Sequence, residues 1–145
     1  MTSKDYVASL FDLTGHVGII TGASRGLGLG QAKVLTDAGA TVYNLDLMPH
    51  TDEEEIAGGR MTDVICDVTD YKKLETVVRE IAEKEGHLDF LINNAGITYK
   101  CRAEEFPEDR LDKIMEINLK TPLMLSRICY PYLKESQYVG RIVTI

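Results

Sequence analysis

Glycines at positions 22, 26 and 28 are the residues of this chain best suited to chemistry. They lie between the apolar run Val17-Gly18-Ile19-Ile20-Thr21 and a helix pattern through Leu29, Ala32, Leu35 and Ala38. Glycine permits positive φ and lets a ligand come closer to the backbone than a Cβ would allow. The unpaired N–H groups at the start of the next helix face outward, and the helix dipole favours negative charge there. A strand, a glycine corner and a helix in this order suit the pyrophosphate of a dinucleotide. The alternative is a bare structural turn. Asp46, 24 positions after Gly22, stands where such a unit places an acid on the adenosine ribose. A carboxylate there accepts from both ribose hydroxyls and repels a 2′-phosphate, which favours NAD over NADP. Read without its neighbours, Asp46 is a solvated acid at a strand end.

Three more features carry polar groups where apolar ones would be expected. Leu91-Ile92-Asn93-Asn94-Ala95-Gly96 sets two amides in tandem after an apolar strand. An asparagine there satisfies backbone groups of the neighbouring strand, and the small Ala95 and Gly96 leave room for a ribose. Asn118, 25 positions after Asn93, falls inside a helical pattern, where its amide competes with backbone hydrogen bonds. Taken locally it marks a helix junction. Asp67-Val68 follows a short apolar run, and by itself Asp67 reads as a turn residue or a helix cap.

Thr21-Gly22-x3-Gly26-x-Gly28 together with Asn93-Asn94-Ala95-Gly96 resembles the short-chain dehydrogenase/reductase family, from about residue 10 to the last residue. The resemblance implies that Gly22, Ser24, Arg25, Gly26, Leu27 and Gly28 line the cofactor's diphosphate, and that Asp67 and Val68 meet its adenine. It assigns cofactor contact to Asn94, Ala95 and Gly96, gives Asn93 the more structural role, and makes Asn118 the catalytic asparagine that fixes a proton-relaying water. In relatives that use NADP a basic residue just before the second glycine helps hold the phosphate, so Arg25 pulls against Asp46, with NAD preferred and NADP second. Leu10-Phe11-Asp12-Leu13-Thr14-Gly15 is similar to members acting on sugar acids, such as gluconate and deoxygluconate dehydrogenases. Lys100 and Arg102, in the loop that flanks the substrate in such proteins, are candidates for binding a substrate carboxylate, or else plain surface charges.

The elements that must position these residues alternate strand and helix. Strands are predicted over 17–21, 41–45, 62–66, 88–93 and 141–145, and helices over 26–38, 70–85, 107–117 and 119–135. Gly39 and Gly86 sit where C-terminal caps belong, Asp70 where an N-cap does, and Pro107 in a first turn. Right-handed βαβ connections then give an α/β fold, a doubly wound parallel sheet of Rossmann type in the order 3-2-1-4-5. Residues 1–145 form one domain, long enough to bury roughly two-thirds of its unfolded surface. Composition marks 47–61 as the flexible loop, with Pro49, an acidic run at 52–55 and Gly58-Gly59.

A formal net charge of −7 with no basic cluster argues against nucleic acid. Three scattered cysteines fit neither a zinc site nor a disulfide framework, and His16, His50 and His87 are expected on surface loops. No stretch is apolar enough for a leader or a membrane span, so a cytoplasmic location is expected.

The family's serine and its Tyr-x3-Lys pair, which belong beyond the fifth strand, are not in the sequence. Tyr130-x3-Lys134 matches the spacing, but it precedes that strand and Pro131 interrupts it, so it counts as chance. The expectation is the N-terminal part of a longer NAD(P)-dependent oxidoreductase acting on an alcohol or carbonyl, such as a sugar acid or polyol. It would be inactive alone, completed by a second chain or a lost segment that covers the open edge of the sheet, and a homotetramer when whole. The alternative is a dinucleotide-binding module without catalysis. A methyltransferase with a similar sheet has no place for Asn-Asn-Ala-Gly.

Overall fold

A computed structural model describes residues 3–50 and 60–145. Its elements run α1 (Ser3–Ser9), β1 (Val17–Thr21), α2 (Gly26–Asp37), β2 (Thr41–Asp46), β3 (Met61–Ile65), α3 (Tyr71–Glu85), β4 (Phe90–Asn93), α4 (Glu108–Met115), α5 (Thr121–Leu133) and β5 (Arg141–Thr144). All pairings are parallel and the order is β3-β2-β1-β4-β5, the doubly wound arrangement expected.

The sheet is covered on both faces because alternate strand residues point to opposite sides. Ile19, Tyr43, Leu45 and Leu91 pack with Leu74, Val78 and Ile81 of α3 and Leu125 and Cys129 of α5. Ile20, Val42 and Phe90 pack on the other side with Ala32 of α2 and Ala40. β1 is buried along its whole length, which is why it reads as an unbroken apolar run. All four residues of β5, at the sheet edge, are exposed.

Helix ends follow local chemistry. The Asp70 carboxylate accepts from the Lys73 N–H at 3.0 Å and starts α3, which Gly86 ends in the left-handed region at φ 82°. An N-cap bond of this kind is worth about 1 kcal/mol. Between α4 and α5 the chain does not break at Asn118. It passes through a π-helical turn, Glu116–Lys120, a wider winding that often marks functional positions.

Several expectations need correction. α1 was not foreseen, and β4 begins at Phe90 rather than 88, because Leu88 and Asp89 belong to the turn that enters it. His16, His50 and His87 do lie on loops, but half-buried rather than fully at the surface. His16 stacks on Tyr138 with centroids 3.9 Å apart, while His50 and His87 bond to Asp63 and Asp89 at 2.7 and 2.8 Å. Of the loop expected over 47–61, residues 51–59 lie outside the described residues. Among the described residues no helix is long and apolar enough to cross a membrane, and no cluster could hold a metal ion.

Cys66 and Cys129 are buried and Cys101 is exposed. Burial pushes the Cys129 thiol up to about 12, and raises Cys66 as well. Because the thiolate is the reactive form, an alkylating reagent at neutral pH should label Cys101 in the folded chain and reach Cys66 and Cys129 only in denaturant. Mass spectrometry of the labelled chain checks this. Equal labelling of Cys129 in the native state would mean that α5 is not packed on the sheet.

Candidate functional site

Strand order in the sheet reverses between β1 and β4, and such switch points leave a crevice beyond the carboxyl ends of the strands. A cavity of about 510 Å³ lies there, within the usual range for small-molecule sites. Its walls come from the glycine corner (Gly22, Ser24, Arg25), the end of β2 (Leu45 to Met48), the segment after β3 (Cys66 to Thr69), the turn after β4 (Asn94 to Ile97) and one face of the α4 region.

The corner is built around absent side chains. Gly22 has φ +69°, and a Cβ there would lie 2.9 Å from the Ala95 Cα. A Cβ at Gly28 would lie 2.4 Å from both the Asn94 Nδ2 and the Gly22 carbonyl oxygen. Arg25 precedes α2 in extended conformation and its side chain does not cap the helix, whose first-turn N–H groups, as in any helix, have no intrahelical partner. Ser24 is buried, while Arg25, Gly26 and Leu27 are exposed at the rim. Gly26, Leu27 and Gly28 do not themselves line the cavity. A backbone that approaches this closely, helix-start amides without intrahelical partners and a carboxylate at the end of β2 together fit a dinucleotide.

Asp46 ends β2 half-buried. Its Oδ2 accepts from the Ser24 N–H at 3.1 Å and its Oδ1 from the Leu47 N–H at 2.6 Å. A carboxylate offers about four acceptor positions, so two stay open for a pair of hydroxyls. Asp67 lies beyond β3, exposed, with Oδ1 accepting from the Thr69 N–H and hydroxyl at 2.8 and 2.7 Å. Val68 is buried beside it at the wall.

Of the two amides, Asn94 is the one that satisfies backbone groups of the neighbouring strand. Its Nδ2 donates to the Thr21 and Gly22 carbonyls, each at 3.0 Å, while the Thr21 hydroxyl accepts from the Asn94 and Ala95 N–H groups. β4 is thereby locked to the glycine corner. Asn93 is buried, and its Nδ2 reaches Ser126 Oγ at 3.3 Å and Thr144 Oγ1 at 3.5 Å. Asn118 projects from the π-helical turn onto Ile97, accepting from its N–H and donating to its carbonyl, both at 2.9 Å. Its amide thus ties the turn after β4 to the helices, next to the cavity rather than in its lining.

Lys100 and Arg102 are exposed and outside the lining, which instead contains Lys113 and Glu116. Sequence reasoning missed that pair. Their signal was the spacing Lys113, Glu116, Ile117, which puts three residues on one helical face. Glu116 accepts from the Tyr71 hydroxyl and from Lys120 Nζ, and these bonds hold its carboxyl below the usual range. Asn44 was missed as well. Wholly buried in β2, it accepts from the Ala23 N–H at 2.8 Å.

A model of the short chain dehydrogenase family matches residues 16–145. The NAD-dependent glycerol dehydrogenase of Listeria innocua is 33% identical over 120 residues, covering 81% of this chain and 47% of that protein. The 2-dehydro-3-deoxy-D-gluconate 5-dehydrogenase of Dickeya dadantii is 30% identical over 142 residues, covering 96% and 56%. A Mycobacterium marinum short-chain type dehydrogenase/reductase superposes with a TM-score of 0.84 at 28% identity, over 95% of this chain and 58% of that one. A Beutenbergia cavernae structure, assigned as an NAD(P) dependent gluconate 5-dehydrogenase with NADP at low occupancy, gives 0.79 at 34% identity over 92% and 55%. The chain spans about half the length of the curated relatives it matches.

Proposed function

The chain belongs to the short-chain dehydrogenase family, and from that premise we propose that it is the cofactor-binding part of an oxidoreductase that uses NAD in preference to NADP. The observation that carries the preference is the Asp46 carboxylate, held by the Ser24 and Leu47 amides with acceptor positions to spare. Gly22, Ser24, Arg25, Gly26, Leu27 and Gly28 form the diphosphate corner, Asp67 and Val68 the adenine wall, and Asn94, Ala95 and Gly96 the side toward the nicotinamide. When bound, the dinucleotide supplies a hydride acceptor or donor for an alcohol or carbonyl. Asn118 holds the backbone at Ile97 beside that position. The names of relatives that act on glycerol, galactitol and a deoxygluconate support a polyol or sugar acid as substrate. Because the chain spans about half the length of these relatives, the activity is proposed for the whole protein.

Calorimetric titration with NADH and NADPH tests the reading. Hydrogen bonds to a charged group contribute about 1.5–3 kcal/mol, so NADH should bind at least about tenfold tighter than NADPH. Asp46→Ala should weaken NADH by a similar factor and strengthen NADPH. An unchanged ratio in the variant would remove Asp46 from the proposal, and no binding of either nucleotide would remove the proposal itself.

A further inference from the structure

Asn44 is an amide buried at 0% exposure in the middle of a strand, an environment that normally excludes it. Both of its N–H donors and its carbonyl oxygen are engaged. Oδ1 accepts from the Ala23 N–H at 2.8 Å, and Nδ2 donates to Ser24 Oγ at 3.0 Å and to Asp63 Oδ1 at 2.8 Å. Asn44 and Asp63 are register partners on β2 and β3, which puts the two side chains side by side. The second oxygen of Asp63 accepts from His50, through Nδ1 at 2.7 Å and the backbone N–H at 3.3 Å. Ser24, having accepted from Asn44, donates its own hydroxyl to the Met48 carbonyl.

The polarity of this chain of bonds runs one way. A carboxylate only accepts, so Asp63 obliges Asn44 to turn its NH2 toward β3. The amide oxygen must then face the corner, where it meets the Ala23 N–H. A flipped amide would set donor against donor. The same network clamps both flanks of Asp46: Ser24, whose N–H holds the Asp46 Oδ2, and the 48–50 segment that follows it. Neither Asp63 nor His50 lines the cavity.

We infer that Asn44, Asp63 and His50 are positioning residues that hold the Ala23–Ser24 backbone and the Asp46 carboxylate in the geometry that grips an adenosine ribose and its diphosphate. The inference rests on the reading of the corner as a dinucleotide site. Asp63 acts from one strand away, through Asn44. The part of its contribution to nucleotide affinity that runs through the ribose grip must therefore be lost when Asp46 is gone.

The test uses the full chain and its Asp63→Ala, Asp63→Asn and Asp46→Ala variants, with the Asp63→Ala/Asp46→Ala double variant. Amide hydrogen exchange at Ala23, measured without nucleotide, should be about tenfold faster in Asp63→Ala. In Asp63→Asn, whose carbonyl still accepts from Asn44 but whose NH2 faces the His50 N–H, it should return part of the way to the parent rate. NADH affinity should fall about fivefold in Asp63→Ala, recover in part in Asp63→Asn, and show a smaller further loss from Asp63→Ala in the Asp46→Ala background. Unchanged Ala23 exchange in a folded Asp63→Ala chain overturns the inference, and so does an equal loss of affinity with and without Asp46. If Asp63→Ala does not fold, His50→Ala removes the outer half of the clamp and is judged by the same two readouts. If the parent chain binds no NADH, the functional reading fails, while the exchange measurement still decides whether the network holds the corner.

Discussion

Alanine at position 28 will abolish dinucleotide binding at concentrations that saturate the parent chain. The added Cβ would lie 2.4 Å from the Gly22 carbonyl oxygen and 2.4 Å from Asn94 Nδ2. Neither neighbour can step aside cheaply. The first is backbone at the corner itself, and the second is held by two hydrogen bonds to Thr21 and Gly22. Relief requires α2 to move off the corner by about 1 Å, and overpacking of this kind costs about 1–3 kcal/mol. A shift of that size also removes the helix amides from the diphosphate position, so the affinity loss should exceed about 100-fold. NADH titration measures it, and a thermal melt should show a lower Tm. Gly30→Ala is the control. Its Cβ would meet nothing within 4 Å, in the middle of α2, so it should stabilise by about 0.5–1 kcal/mol and leave binding alone. Normal binding by Gly28→Ala would show that the corner is looser than its packing implies.

Asp89→Ala will be the most damaging change to the fold outside the apolar core. Asp89 is 1% exposed and its carboxylate accepts from the Val17 N–H at 2.8 Å, His87 Nδ1 at 2.8 Å and Ser136 Oγ at 2.6 Å. Its backbone N–H donates to the Val17 carbonyl, and its carbonyl accepts from the Arg141 N–H. One residue therefore joins the entrances of β1, β4 and β5. Alanine leaves the buried Val17 N–H without a partner and frees the turn before β5. Losses from such a buried charged acceptor run to about 3–5 kcal/mol, a large part of the roughly 5–15 kcal/mol that holds a domain together. Asp89→Asn keeps an acceptor oxygen and should lose about half as much. Urea unfolding of both variants gives the comparison. An Asp89→Ala chain within about 1 kcal/mol of the parent would mean that water replaces the carboxylate there.

What could be read from the chain alone was local or periodic. The caps at Asp70 and Gly86 lie within four residues of what they cap, and strand and helix runs declare themselves by apolar spacing. The glycine corner was legible for the same reason, since a turn with positive φ leaves its mark in consecutive residues. Asp46 was legible because a strand of known length must end where it does. Asn118 was visible as an oddity in a helix, but the sequence offered a break where the backbone instead widens into a π-helical turn around the bond to Ile97.

The rest was decided only when distant segments met. Asn44 meets Ala23 across 21 positions, and Asp89 meets Val17 across 72. Nothing near either residue shows that its polar group has a partner, so a buried amide and a buried carboxylate looked like ordinary strand residues. His50 and His87 looked like loop residues because the acids that hold them come into reach only through strand pairing or a turn's fold. Lys100 and Arg102 were chosen by proximity along the chain, while the fold brought Lys113 and Glu116 to the cavity wall. Sequence settled most of the elements and the backbone of the corner, since those depend on neighbours in the chain. Tertiary structure settled which polar groups pair and which face the cavity, because hydrogen bonds act over about 3 Å of space and take no account of separation in sequence.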